Sequence, residues 1–198
     1  MITVVGIGPG AADLRLAGTA ALVAQADVVI GSKRQLAEFD PQVTTLVLPH
    51  LDELGTYLKA HRQLNIILLA SGDPLLYGIG NWVLKQLPAS EIKIIPGISS
   101  IQYCFHQLGL SMNDVYLTSS HGRQPDFDFL LHHDKVGMVT DQVIGPVEIA
   151  VAIRKRKQHR VIYVGENLSY PNEKISRFTE TTVPNQKFGM NVVIITNA

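Results

Sequence analysis

Three glycine-containing turns, Gly6-Ile7-Gly8-Pro9-Gly10, Gly72-Asp73-Pro74 and Pro96-Gly97-Ile98-Ser99-Ser100, each follow a short apolar run. The runs, residues 2–7, 65–70 and 91–95, are too short for typical helices, and the middle one is apolar without a break from Ile66 to Ala70. That is the pattern of strands covered on both faces. Glycine at the end of such a strand lets the chain turn sharply and lets backbone approach another group closely. In an open parallel sheet these turns collect at the carboxyl ends of the strands, where such sheets hold ligands. The expected fold is therefore α/β, with a doubly wound parallel sheet in the first half of the chain.

The pattern between these turns predicts a helix over 14–25 capped by Asp13, a strand over 27–30 and a short helix over 33–39 closed by Asp40-Pro41. A strand over 43–48 follows, then a helix running to Arg62 with Leu51, Leu54 and Leu58 on one face. A further helix is predicted over 75–87, and one over 98–108 closes the half near Gly109. After a boundary near 109–113 the rhythm changes. Strands are predicted over 115–118, 136–140, 160–165, 175–183 and 191–196, with helices over 127–132 and 146–157. The last two runs lack an intervening helix, and strands joined by short loops pair antiparallel. Residues 1–110 thus read as an α/β domain and 111–198 as a smaller mixed-sheet α+β domain, with a cleft expected between them.

Composition narrows the partners. Lys plus Arg and Asp plus Glu both total 17, so no whole-molecule field draws nucleic acid or anionic lipid. Residues 1–6 lack the basic start of a leader, and the run Ile66-Ile67-Leu68-Leu69-Ala70 is far short of a membrane span. A single cysteine, Cys104, permits no internal disulfide and suits the cytoplasm. Adjacent His132 and His133 diverge on a helix, and no His/Cys/Asp/Glu cluster has metal-ligand spacing, so no resident metal is expected.

The first turn formally satisfies the G-x-G-x-x-G/A dinucleotide pattern, which alone is weak. The end of the second strand, Gly31-Ser32-Lys33-Arg34, carries no acid for a nicotinamide ribose, although Lys33 and Arg34 suit a 2′-phosphate. Pro9 removes a backbone donor from the turn. Asp73 reads equally as a helix cap and as a ligand group, and Ser99 or Ser100 as a cap of the following helix. On residues alone, an NADP-binding reductase and a non-catalytic nucleotide sensor stay open.

The ordered set of motifs resembles the tetrapyrrole methylases over essentially the whole chain: a Gly-x-Gly-Pro-Gly loop, a Gly-Asp-Pro loop after an apolar strand, and a Pro-Gly-x-Ser-Ser turn. The resemblance implies an S-adenosylmethionine-dependent C-methyltransferase whose two domains enclose the cofactor, working as a homodimer. Four segments are most similar to the branch that methylates C-5 of cobalt-precorrin-6B, giving cobalt-precorrin-7, in anaerobic cobalamin synthesis. These are residues 30–34, Ser120-His121-Gly122-Arg123, Val139-Thr140-Asp141 and residues 165–171. Methylation at another ring position, or of a metal-free precorrin, is the alternative within the family.

By the same resemblance the cofactor contacts are Pro9, Gly72, Asp73, Leu76, Ser99, Ser100, Thr140 and Met190. Gly8, Lys33, Arg34, His121 and Arg123 are implied to meet the carboxylates of the substrate. No catalytic side chain is carried over, because Ser32 stands where uroporphyrinogen methylases have an Asp after the second strand. Cobalt arrives inside the substrate, and methylation at C-15 with decarboxylation is expected of a separate partner.

Overall fold

Alternation of apolar residues sends the strands of the first half into two cores at once. In the computed structural model, which describes residues 1–39 and 42–198, β1 (Ile2–Gly6), β2 (Val28–Gly31), β3 (Thr44–Val47), β4 (Ile66–Ala70) and β5 (Ile92–Ile95) form one sheet. Its order is β3-β2-β4-β1-β5 and every pairing is parallel. Ile2, Val4, Val28, Ile30, Ile66 and Leu68 pack on one face with Leu54 and Leu58 of α3 (Leu51–Ala60). Val5, Val29, Ile67 and Leu69 pack on the other with Val23 of α1 (Thr19–Ala24). Each fully buried aliphatic side chain contributes about 1.5–3 kcal/mol. The expected doubly wound parallel sheet is present.

Three helices of this half are shorter than the sequence pattern predicts. Residues 14–25 are interrupted by Gly18, whose φ of 89° caps α1, and Asp13 instead lies inside a 3-10 turn, Ala12–Leu14. Residues 75–87 yield only α4 (Gly80–Val83), because Tyr77 takes a left-handed backbone with φ 56°. Between β2 and β3 the helix α2 spans Lys33–Leu36; its expected closure at Asp40-Pro41 lies outside the described residues.

The compact units of the chain divide at Ser99/Ser100. In the second, β6 (Val115–Ser119), β7 (Lys135–Val139), β8 (Arg160–Glu166), β9 (Lys174–Thr179) and β10 (Asn191–Asn197) form a sheet of order β6-β7-β10-β8-β9. β6 and β7 are parallel and the other pairs antiparallel, so the sheet is mixed as expected. The expected pairing of the last two strands with each other does not form: β9 pairs with β8, and β10 is inserted between β7 and β8. One face packs against α6 (Phe127–Leu130) and α7 (Pro146–Lys155) through Leu130, Ile149 and Ile153.

The other face carries α5 (Ser100–Gln107), the helix that the sequence pattern attaches to the first half. Two strand glycines make room for it. A Cβ at Gly137 would lie 2.7 Å from Ile101, and one at Gly165 would lie 2.9 Å from the Cys104 sulfur. Ile101, Cys104 and Phe105 therefore sit directly on the sheet, buried with Val192 and Ile194.

The far corner of this unit is tied by polar groups. The Arg160 guanidinium donates to the carbonyls of Leu131 and His133 and to the side-chain oxygens of Gln158 and Asn197. Glu180, 5% exposed, accepts from the Arg160 backbone N–H at 3.0 Å and meets His159 Nδ1 at 3.0 Å.

Two predictions follow from these constraints. Gly97→Ala would place a methyl 2.2 Å from the Gly72 carbonyl oxygen; urea denaturation should show a loss of about 1–3 kcal/mol or more. Burial pushes the Glu180 carboxyl up, but the hydrogen bonds from Arg160 and His159 outweigh it, and the group lies below its ordinary 4.5. Its contribution is therefore present above pH 4.5 and lost as pH falls through the lower folded value. Glu180→Gln should flatten that acid limb in a series of thermal melts.

Candidate functional site

At the carboxyl ends of β4, β1 and β5, three main chains meet with nothing between them. A Cβ on Gly6 would lie 2.6 Å from the Gly97 nitrogen and 2.8 Å from the Gly72 oxygen. Beyond the strands, Gly8 and Gly72 form an isolated bridge: Gly72 N–H donates to Gly8 O at 2.8 Å, and Gly8 N–H to Gly72 O at 3.4 Å. Both have positive φ, 77° and 62°, which explains glycine there. Pro9 is buried beside this bridge.

Asp73 closes the arrangement. Its Oδ1 accepts from the N–H groups of Leu75 at 2.7 Å and Leu76 at 3.1 Å, and its Oδ2 from Gly97 N–H at 3.3 Å. The cap role and the bridge to the β5 turn are thus filled by one carboxylate. An ionised carboxylate offers about four acceptor sites. Three are engaged here, which leaves capacity for a ligand hydroxyl or ammonium. Leu76 is half-buried next to it, and Ser99 is buried at the end of the β5 turn. Gly8, Pro9, Gly72, Asp73 and Leu76 are therefore brought together.

Lys33 and Arg34 lie at the neighbouring end of β2, and both are exposed. Arg34 reaches Ser71 Oγ at 2.8 Å and Glu38 Oε1 at 3.3 Å. Glu38 in turn pairs with Arg15 at 2.6 Å, and Arg15 donates to the Gly10 carbonyl at 3.4 Å. This chain links the turns after β1, β2 and β4. Ser32 is a helix cap: its hydroxyl accepts from Gln35 N–H at 3.3 Å while Gln35 Oε1 accepts from Ser32 N–H at 2.7 Å.

The second unit gathers its predicted residues at one sheet edge. β6, β7 and β8 run in one direction and β10 in the other, so their carboxyl ends share an edge with the start of β10. The Thr140 hydroxyl donates to the carbonyl and side-chain oxygens of Asn191, each at 2.8 Å. Met190, 54% exposed, accepts at its carbonyl from Asn167 N–H at 2.9 Å, and Glu166 Oε1 accepts from Gly189 N–H at 2.8 Å. His121 and Arg123 are exposed in the turn after β6. That turn is held by Asp141, which follows Thr140. Its Oδ2 accepts from Gly122 N–H at 3.2 Å and its Oδ1 from Val143 and Ile144 N–H at 2.9 and 2.8 Å. These backbone donors, with the nearby His121, keep the Asp141 carboxyl below its ordinary value. Ser100 opens α5 of this same unit.

Sequence patterns alone did not assign Asn191, Glu166 or Asp141 a part in the site, because Asn191 meets the Thr140 hydroxyl, Glu166 the Gly189 N–H and Asp141 the Gly122 N–H, all distant in the chain. Asp141 lay within a motif run, Val139-Thr140-Asp141, that could have flagged it. Cys104 is buried, and burial with the nearby Glu173 pushes its thiol up to about 12. Among the described residues no three His, Cys, Asp or Glu side chains converge as a metal site. No helix among them is long and apolar enough to cross a membrane.

The sequence and the fold have counterparts. The profile of the tetrapyrrole (corrin/porphyrin) methylases matches residues 1–184. The chain is 42% identical to the cobalt-precorrin-7 C(5)-methyltransferase of Salmonella typhimurium, over 98% of each chain. The cobalamin-biosynthetic precorrin-6Y methylase of Archaeoglobus fulgidus superposes with a TM-score of 0.80 at 23% identity, covering 100% of this chain and 98% of that one. Uroporphyrin-III C-methyltransferase from Thermus thermophilus, solved with S-adenosyl homocysteine, shares the fold with a TM-score of 0.76 at 18% identity, covering 98% and 96%. With a family profile spanning most of its length and a full-length relative at this identity, the chain belongs to the tetrapyrrole (corrin/porphyrin) methylases.

Proposed function

We propose that the protein transfers a methyl group from S-adenosylmethionine to C-5 of cobalt-precorrin-6B, producing cobalt-precorrin-7 in the anaerobic route to cobalamin. The observation that carries this reading is the full-length 42% identity to an enzyme of that name. The backbone clasp of Gly6, Gly72 and Gly97, with Asp73 across it, supports it physically. Family membership favours methyl transfer over the reductase and sensor alternatives.

Bound S-adenosylmethionine supplies an electrophilic sulfonium methyl. Asp73 accepts a cofactor hydroxyl or ammonium, while Pro9, Gly72 and Leu76 form the wall beside it. Ser99, Ser100, Thr140 and the Met190 segment complete the cofactor contacts. Gly8, Lys33, Arg34, His121 and Arg123 receive the peripheral carboxylates of the corrinoid, for which cations and N–H donors are the natural partners. The reacting nucleophile is a ring carbon of the substrate, so no side-chain nucleophile is needed, and Ser32 serves as a cap. Positioning two reactants in line accounts for about 7–11 kcal/mol of barrier lowering. Cobalt enters as part of the substrate, and methylation at C-15 belongs to a separate partner. A cytoplasmic homodimer is the proposed form; the single buried Cys104 suits a reducing compartment.

Calorimetry should show binding of S-adenosylhomocysteine and none of NADPH. Anaerobic incubation with cobalt-precorrin-6B and S-adenosylmethionine should add one methyl by mass spectrometry, located at C-5 by NMR. Binding of NADPH alone, or methylation at another carbon, would overturn the assignment. Asp141→Ala frees the His121–Arg123 turn from its anchor. Loss of such a tether should raise KM for the corrinoid about 3–10-fold, with S-adenosylhomocysteine affinity unchanged.

A further inference from the structure

Five non-glycine residues among the described ones have positive φ: Tyr77, Asp114, Lys157, Asn167 and Ser169. Asparagine and aspartate tolerate the left-handed region, and Lys157 takes it directly after α7, where helices commonly end that way; a bulky aromatic there is an outlier. Tyr77 is the aromatic one, at φ 56°. Its neighbours make the choice sharper. A Cβ at Gly78 would lie 2.6 Å from the Asp73 and Pro74 carbonyl oxygens, and one at Gly80 would lie 2.8 Å from the Pro74 oxygen. Glycine thus stands at the two positions where space demands it. Tyrosine stands at the position where the backbone conformation would favour glycine.

Burial does not account for the tyrosine, since Tyr77 is 40% and Leu75 46% exposed, while Leu76 between them is half-buried. The loop is nevertheless rigidly held. Asp73 Oδ1 accepts from Leu75 and Leu76 N–H, and Gly80 N–H donates to Pro74 O at 3.0 Å. The Asn81 amide donates to Leu75 O at 2.8 Å and to Gly78 O at 3.4 Å. Strain retained in a loop this well supported is characteristic of side chains displayed for contact with a ligand.

We propose that Tyr77, with Leu75 beside it, packs against the flat face of the tetrapyrrole macrocycle and is a substrate-contact residue of the site. The identity of the ligand rests on the methylase reading above. The alternation supports the division of labour: the inner Leu76 adjoins the Gly72–Asp73 clasp assigned to the cofactor, while the exposed 75 and 77 side chains meet the larger, outer ligand. A phenol ring offers an apolar face for a conjugated macrocycle and a hydroxyl for its peripheral carboxylates.

The test compares Tyr77→Gly, Tyr77→Phe and the wild type in three measurements: thermal stability, S-adenosylhomocysteine affinity, and affinity for cobyrinic acid as a stable corrin probe with free carboxylates. Tyr77→Gly removes the strain, so its Tm should equal or exceed that of the wild type. Its Kd for cobyrinic acid should rise about 3–10-fold, with S-adenosylhomocysteine binding unchanged, and Tyr77→Phe should keep near wild-type corrin affinity. A lower Tm with unchanged corrin affinity would make Tyr77 structural and overturn the proposal, as would a loss of affinity for S-adenosylhomocysteine in place of the corrin. A wild type that binds no cobyrinic acid also overturns it. Tyr77-dependent corrin binding in a protein that fails to methylate cobalt-precorrin-6B would support the contact while refuting the proposed reaction.

Discussion

The first unit depends on the contact of three backbones at Gly6, Gly72 and Gly97, where a Cβ added at Gly6 or Gly97 would lie 2.2–3.0 Å from neighbouring main-chain atoms. No side chain fits at Gly6 or Gly97, so the ends of β4, β1 and β5 form a continuous main-chain surface. Asp73 is placed by that closeness, since only there does its carboxylate span the turn after β4 and the turn after β5. The loop bearing Leu75, Leu76 and Tyr77 begins on the same carboxylate. Disturbing the backbone contact therefore disturbs everything built on it.

The second unit assembles its edge differently. Here side chains capture backbone groups: Asp141 holds the turn of His121, Thr140 holds Asn191, and Glu166 holds Gly189. Each hydrogen bond is modest by itself. Together they fix loops that lack regular structure of their own. Glycine has a separate use in this unit, where Gly137 and Gly165 open the sheet face so that α5 lies close against it.

Much of the first sheet was legible from the chain, because runs such as residues 66–70 are buried on both faces and admit little else. The helices over 14–25 and 75–87 were overread. Their apolar spacing is helical, but Gly18 and Tyr77 adopt left-handed backbone and Asp73 draws the following N–H groups to itself. Asp73 was identifiable as a site residue, yet its two simultaneous roles were not separable by spacing. Asn191 gave no local signal, and the runs 139–141 and 165–171 that hold Asp141 and Glu166 could not show that these side chains capture Gly122 and Gly189, which are far away in the chain.

By itself the sequence determined that β4 is a two-sided strand, that β1, β4 and β5 all end in glycine turns, and that those turns share the chemistry of a ligand-binding edge. This follows from local properties: apolar continuity and the conformations open to glycine. Only the tertiary structure decided the order β3-β2-β4-β1-β5, the insertion of β10 between β7 and β8, and the attachment of α5 to the second sheet. A strand that is apolar on both faces carries no mark of its neighbour, so its pairing is settled by long-range packing. The same packing brings Gly97 within reach of Asp73 and turns two separate sequence motifs into one clasp.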